Sequence, residues 1–492
     1  MDLKKDTTKA EKLEDLALRR GFFNQSSEIY GSQAGFYDYG YLGTLVKRKF
    51  ETAWKKHFLD EDNMYEIETT NIMPEQVFIA SGHVKNFLDP TTRCKSCGTI
   101  HRADHIIEDY LNETFEGLSP EKLTEIIKKH HIKCPKCKGQ LEDAATINMM
   151  FPVNIGVGEG MKAYLRPETA QGVYVNFKRS FEQLRKKLPM GLALIGKAYR
   201  NEISPRNLLI RMREFTQAEL QIFFDPEKIN VHDKFENISE YKLVLYSIAD
   251  RKSNTLTEIT CEDAVKKLHL PQFYVYYLAK IQKFYSEVLR IPKQSFRFKE
   301  LNEEERAFYN KIHWDIELNI ESAGGWKECG GLHYRTDHDL SGHQKISKQD
   351  MSVNIDGRSF IPHVLELSFG VDRNIYAIMD ISYKEEGERI VLSLPEAVTP
   401  FDVALFPLVN KDNIPQKAEE VKRLLKIKDI SIFYDESGSI GKRYRRMDEI
   451  GVVNCVTVDY QSLEDNTVTV RNRDTMLQTR VKIENMFRKV EF

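Results

Sequence analysis

Nothing in the 492 residues approaches the ~18 consecutive apolar residues that a membrane-crossing helix requires, which excludes an integral helical membrane protein. The opening MDLKKDTTKAEKLEDL carries charge where a secretory signal carries its apolar stretch, so the expected location is the cytoplasm. An excess of one charge is also missing: 72 Lys and Arg stand against 74 Asp and Glu, a net −2. Contact with nucleic acid therefore has to rest on local basic patches. There is no internal repeat and no long low-complexity segment, which argues against solenoids and disordered linkers. Cysteine is scarce and uneven. Of seven, four form the pairs Cys94/Cys97 and Cys134/Cys137, while Cys261, Cys329 and Cys455 stand alone. In a cytoplasmic chain such pairs point to metal and not to disulfides. What is present, 41% hydrophobic and 30% charged residues, is the composition of a soluble globular protein with roughly three domains.

Periodicity divides the rest. Residues 9–20 read as a short charged helix ending at Gly21, and 43–58 as a helix amphipathic through Leu45, Val46, Phe50, Trp54 and Phe58. The polar, Lys-rich stretch 93–147 reads as an insertion bracketed by the cysteine pairs. A second insertion, 226–308, is charged and mostly helical in pattern. Strand patterns return at 313–320 and 361–370, and Pro395 and Pro400 mark a boundary. The expected domains are 1–92 with 148–395, the insertions 93–147 and 226–308 within that unit, and 396–492, where strands alternate with helices.

Two strands, GLALIGKAYRNE (191–202) and EFTQAELQIFF (214–224), flank a basic loop. Alternation gives the second a core face of Thr216, Ala218, Leu220, Ile222 and Phe224. Its opposite face carries Phe215, Gln217, Glu219 and Gln221, and Arg200 and Glu202 share a face of the first strand. Arg206, Arg211 and Arg213, at the tip or its return, are placed to clamp polyphosphate, which the planar guanidinium suits. Phe215 is placed to stack on a purine. A half-exposed hairpin with a charged turn is the plainer alternative. VLELSFGVDRNIYAIMDISY (364–383) reads as a strand followed by a helix, with Glu366, Ser368 and Gly370 on one face and Leu365, Leu367 and Phe369 on the other. Arg373 falls in the first helical turn, where anions are favoured; a structural Asp372–Arg373 pair is the alternative.

Cys94-Lys-Ser-Cys97-Gly and Cys134-Pro-Lys-Cys137-Lys-Gly are knuckles that each offer two thiolates to one tetrahedral, structural zinc. Helical residues near 119–131 fill the long gap between them. His101 and His131 are substitute ligands, and four reduced thiols are the alternative to a metal site.

Together these pieces resemble the signature elements of class II aminoacyl-tRNA synthetases. Arg200-Asn201-Glu202 with the return Arg211-Met212-Arg213-Glu214-Phe215 resembles motif 2, and Gly370-Val371-Asp372-Arg373 the end of motif 3. Within the class the chain is similar to the dimeric glycyl-tRNA synthetases of the eukaryotic and archaeal type. The matching segments are RRGFFNQSSEIYGSQAGFYDYGYLG (19–43), SGH (81–83), HRADH (101–105), LRPETAQG (165–172), RNEISPR (200–206), REFTQAE (213–219), DLSGH (339–343) and IGKRYRRMDEIG (440–451). The proline usual in motif 1 has only Pro74 as a counterpart.

The resemblance implies an α+β fold: a class II antiparallel sheet core with helices, then a C-terminal α/β anticodon-binding domain. It implies a homodimer that joins glycine to tRNA(Gly) using ATP and magnesium. Arg200 would bind the α-phosphate, Glu202 the adenine, and Arg211 and Arg373 the outer phosphates, with Phe215 stacked on the base. Glu328 would contact ATP through magnesium, and Arg200, Glu202 and Arg373 would be catalytic. Asn201, Ile210, Met212, Arg213, Glu214, Cys329, Gly370, Val371 and Asp372 would complete the ATP site. Glycine is expected against Glu168, Glu219 and Glu366, closed by Ser368, with Arg102, Phe215, Thr216, Gln217, Ala218, Leu367, Phe369 and Gly370 around it. An apolar pocket separates one methylene by only ~1–3 kcal/mol, whereas one full of charged groups should reject alanine more strongly. Lys442, Arg443, Arg445 and Arg446, with Tyr444 among them, would meet the anticodon. A synthetase for threonine or proline is the nearest rival, opposed by LRPETAQG and the glutamates. A catalytically dead RNA-binding paralogue is the other, opposed by intact Arg200, Glu202, Glu328 and Arg373.

Overall fold

The computed structural model describes residues 7–60, 63–111, 115, 118–158, 160–205, 207–307 and 309–486. Arg206, one of the loop arginines, lies outside them. Among the described residues no helix is long and apolar enough to cross a membrane.

A nine-stranded sheet carries the site. Its strands are β1 (Met64–Glu66), β2 (Met190–Tyr199), β3 (Glu214–Phe224), β4 (Lys242–Tyr246), β5 (Thr257–Thr260), β6 (Phe296–Glu300), β7 (Ile312–Ile320), β8 (Gly325–Thr336) and β9 (His363–Gly370). They lie in the order β5-β4-β6-β7-β8-β9-β3-β2-β1. Pairing is antiparallel except for β1 with β2 and β4 with β6. Register brings Glu219 opposite Ser368 and Gln221 opposite Glu366 across β3 and β9. Across β9 and β8, Ser368 meets Gly331 and Glu366 meets His333. Because side chains alternate, these polar residues share one face, while Leu220, Leu332, Leu365, Leu367 and Phe369 go to the other.

Helices seal the apolar face. Helix α1 (Lys9–Arg20) starts at a Thr8–Glu11 capping box and ends on Gly21, whose φ of 75° suits the left-handed cap. Helix α2 (Tyr41–Leu59) begins two residues before its apolar period suggests. It packs Trp54 and Phe58 against Phe369, with ring centroids 5.9 and 5.2 Å apart. Helix α3 (Val371–Ser382) leaves β9 directly and buries Ile375, Ile378 and Met379 in the same core.

The segment 226–308 is more helix than strand, as its pattern suggests, but it is not helix alone. It supplies β4, β5 and β6 to the edge of the sheet, together with helices Ile248–Ser253, Cys261–Leu268 and Gln272–Lys283. Strands of four or five residues are too short to show a clear period of two between charged helices.

Around the cysteines, strands Leu88–Arg93, Ile100–Arg102 and Ala145–Asn148 form a small sheet. Helices Ala103–Leu111 and Pro120–Lys129 cover it over a core of Ile106, Ile107, Leu123, Ile127 and Ile132. Near the C-terminus five strands run in the order Ile432–Tyr434, Val403–Pro407, Asn454–Val458, Thr467–Asn472, Gln478–Lys482. Helix Ile414–Ile427 covers one face over a core that includes Val403, Leu405, Val421, Leu425 and Val456, while helix Ile440–Ile450 places Met447 and Ile450 in the main core with Ala404, Phe406 and Cys455.

Candidate active site

Where the ends of β3, β8 and β9 converge, a pocket is lined by Arg200, Glu202, Arg211, Phe215, Glu328 and Arg373. Strand β2 ends at Tyr199, so Arg200 and Glu202 lie in the following turn and not on a strand face. Arg200 donates through Nε to the Pro167 carbonyl at 3.2 Å. Its guanidinium lies 5.3 Å from the Phe215 ring and 5.5 Å from that of Phe87. Glu202 is buried, and its Oε2 has no hydrogen-bond partner. Arg211 Nε stands 3.6 Å from that oxygen. A buried carboxylate oxygen without a donor is costly, so this one is poised for a ligand N–H. Arg373 is braced by the carbonyls of Ile210 at 2.8 Å and Glu328 at 2.9 Å, and pairs with the Glu328 carboxylate at 3.2 Å. Ile210, Met212, Cys329 and Gly370 line the same pocket.

Other expected ATP ligands are used differently. Asp372 does not pair with Arg373; it accepts the Tyr39 hydroxyl at 2.6 Å and the Thr216 N–H, and so ties α3 to β3. Arg213 donates through Nε to the Glu202 carbonyl and through Nη1 to the Ala34 carbonyl, each at 2.9 Å. Glu214 pairs with Lys197 at 3.2 Å across the hairpin, and Asn201 is held through its backbone N–H to the Met149 carbonyl at 2.7 Å. Val371, Ala218, Leu367 and Phe369 are core residues, turned from the pocket by strand alternation and by the start of α3. Thr216, which accepts from Lys47 Nζ, lines the pocket, as does Gln217 with a buried, unpartnered Oε1.

Beside Ser368 the face becomes acidic. Glu168, Glu219 and Glu366 are all buried there. Glu219 accepts from Thr169 at 2.6 Å and Ser368 at 3.0 Å. Glu366 accepts from Arg335 and Gln221, each at 2.8 Å, and its other oxygen lies 2.6 Å from His333 Nδ1. Arg335 also bonds Asp339 at 2.8 Å and approaches Glu168 at 3.5 Å. Burial pushes the Glu219 carboxyl up, and neighbouring Glu366 and Glu168 add to this, raising it to about 8. Glu366 resists the same upward push of burial, because Arg335 and His333 hold it down at about 2. Glu168 is held well below the usual range by Arg335 and His83, against its burial. One guanidinium thus serves several carboxylates, and the cluster lacks a cation. Arg335 and His333 were not among the expected residues, although alternation along β8 from Gly331 points to His333. Arg102 does not join this cluster. It pairs with Asp89 at 3.1 Å and with Asp104, on the Glu202 side of the pocket.

The sulfurs of Cys94, Cys97, Cys134 and Cys137 all lie within 4.8 Å of one another. Cys94 and Cys137 are 3.4 Å apart, and Cys97 and Cys134 3.8 Å. Tetrahedral zinc with Zn–S near ~2.3 Å needs sulfurs ~3.8 Å apart, so the four fit. His101 Nε2 is 3.3 Å from Cys134 Sγ; His131 is not in the group.

In helix Ile440–Ile450, Lys442 and Arg445 are exposed. Arg443 is buried, donating to the carbonyls of Pro407, Glu436 and Gly438, so the expectation that it meets RNA is corrected. Arg446 pairs with Asp435. The Tyr444 hydroxyl is bonded to Thr457 at 2.7 Å, with Arg471 over its half-buried ring, so it is not free to stack on a base. Apolar positions every third or fourth residue place Arg443 on the inner stripe with Met447 and Ile450.

Comparison with known proteins agrees with this geometry. Residues 157–382 match the class II tRNA synthetase core domain (G, H, P, S and T), and residues 402–491 the anticodon binding domain. A glycine–tRNA ligase of Pyrococcus horikoshii is 42% identical over 98% of both chains. That of Pyrococcus abyssi is 43% identical over the same shares, and that of Methanococcus maripaludis strain C6 38% over 97% of this chain and 98% of its own. With a class II core, an anticodon-binding domain and full-length relatives of one kind, the chain belongs to the glycine–tRNA ligase family of class II aminoacyl-tRNA synthetases.

Proposed function

We infer that the chain activates glycine with ATP and transfers it to the 3′ end of tRNA(Gly). The observation that carries this reading is the cation-poor cluster of Glu168, Glu219 and Glu366 around Arg335, beside the nucleotide pocket. Glycine offers no side chain to grip; its ammonium is the cation the cluster lacks. In activation, a glycine carboxylate oxygen attacks the α-phosphorus and pyrophosphate leaves. A terminal ribose hydroxyl of the tRNA then attacks the glycyl carbonyl and AMP leaves. Two anions must approach in the first step, so Arg200 on the α-phosphate and Arg211 and Arg373 on the outer phosphates act by positioning and charge stabilisation. Glu202 receives the adenine amino group on its unpartnered oxygen, and Phe215 stacks on the ring. Glu328 is the residue that would hold magnesium, which supplies further neutralisation of phosphate charge. The reading is tested by Glu366→Ala in glycine-dependent pyrophosphate exchange. The KM for glycine should rise far more than that for ATP, and equal rises would contradict it.

The four cysteines hold a structural zinc, a reading supported by their mutual distances. The working form is a homodimer. Strands Ile72–Pro74, Phe151–Ile155 and Met161–Leu165 make a small sheet whose register puts Ile72, Pro74, Ile155 and Met161 on one solvent-facing side. An exposed apolar sheet face of this kind needs a cover, and a second copy of the chain supplies it. Replacing Ile155 and Met161 with aspartate should yield monomers in sedimentation; an unchanged dimer would exclude this face.

A further inference from the structure

Resting on the zinc reading above, we propose that the cysteine module is a working part of the adenylation site, coupled to it through the adjacent residues His101 and Arg102. Both lie on the strand Ile100–Arg102, where successive side chains point to opposite faces. His101 Nε2 is 3.3 Å from Cys134 Sγ. With four thiolates on the metal, the imidazole N–H donates to one of them, the kind of outer contact that fixes a ligand. Arg102 turns the other way, to Asp89 at 3.1 Å and to Asp104. Asp104 in turn accepts the His105 N–H at 2.9 Å, and His105 Nε2 lies 3.4 Å from Arg211 Nη1.

Further contacts bind the module to the same pocket. The Met149 carbonyl accepts from the Asn201 N–H at 2.7 Å, and the Phe87 ring lies 5.5 Å from the Arg200 guanidinium. Asp89 sits on the strand that runs into Cys94. The edge formed by Arg102, Asp104 and His105 therefore has two supports, the thiolates behind it and Arg211 in front. Displacing the knuckles moves that edge against the arginine assigned to the outer phosphates. A misplacement of about 1 Å can cost on the order of 10²-fold in rate. His101 is a positioning residue, since it touches the thiolate and not the substrate.

The test compares wild type, His101→Ala and His101→Gln as full-length holoenzymes. Zinc content, the rate of zinc loss to a chromophoric chelator, and KM and kcat for ATP in glycine-dependent exchange are measured. His101→Ala should carry zinc when isolated but lose it roughly 10-fold faster. Its KM for ATP should rise severalfold while kcat changes less. His101→Gln, which keeps an N–H donor at similar reach, should restore both. A second arm needs no substitution: chelator-stripped wild type should show the raised KM for ATP, and re-added zinc should reverse it. Zinc in the wild type with His101→Ala indistinguishable from it, or stripping that leaves KM unchanged, would overturn the coupling alone. A wild type that never carries zinc would overturn the zinc reading and the coupling with it.

Discussion

Arg335 is buried against Asp339, Glu168 and Glu366, and no other arginine or lysine forms an ion pair with these three among the described residues. Removing one partner of a buried ion pair typically costs ~3–5 kcal/mol. Arg335→Ala should therefore abolish glycine-dependent exchange and also lower the melting temperature by several degrees; a stable variant with normal activity would show that the cluster is not organised by this residue. Glu219 makes a second prediction, in pH. Its folded carboxyl is raised to about 8, so between the ordinary value near 4.5 and about 8 the folded state keeps a proton that the unfolded chain releases. This group's contribution to stability is complete below that window and is lost as pH rises through it. Glycine's ammonium needs the carboxylate, so binding expels the proton, and the KM for glycine should fall from about pH 6 to 8 and then level. Glu219→Gln should flatten the pH dependence of melting and weaken glycine use; a profile identical to wild type would contradict the assignment. Separately, Arg200→Ala and Arg373→Ala should each slow adenylate formation by at least ~10²-fold, as for loss of one preorganised charge stabiliser. Near-normal rates in both would dismiss the phosphate assignments. At this scale the glutamates were legible, because alternation alone puts Glu219 and Glu366 on polar faces. Arg335 was not, since nothing local shows that β8 lies beside β9 in the register that joins it to Glu366.

Among elements, those with regular periods were legible: α1 with its stop at Gly21, the strands of the motif 2 hairpin, and β9 running into α3. In the segment 226–308 the helical character was legible and the short strands were not, because those strands gain their order from the sheet edge they join, a non-local cause. The cysteine module stands between these cases. Its knuckles and the helix Pro120–Lys129 follow from local pattern, whereas its contact with Arg211 depends on tertiary placement. One zinc per chain is expected by metal analysis, and Cys134→Ser should lose it. Equal zinc in the two proteins would refute the four-cysteine site.

Across the whole molecule, the C-terminal unit is tied to the rest by Arg19 and Arg20 with Glu449, Lys49 with Asp402 and Arg389 with Asp448. The basic run IGKRYRR suggested a uniform RNA-facing surface, but the fold spends Arg443 and Arg446 internally. Lys442 and Arg445 are thus the pair to replace with alanine. The double variant should keep glycine-dependent exchange, need more tRNA for charging, and show a shallower salt dependence of RNA binding, as lost phosphate contacts release fewer counterions. Unchanged charging at physiological salt would make that face merely solvated. The central claim, that the acidic cluster selects glycine, is tested most directly by pyrophosphate exchange run separately with each of the twenty amino acids. The account predicts robust exchange with glycine and little with alanine or serine; robust exchange with any larger amino acid would contradict it.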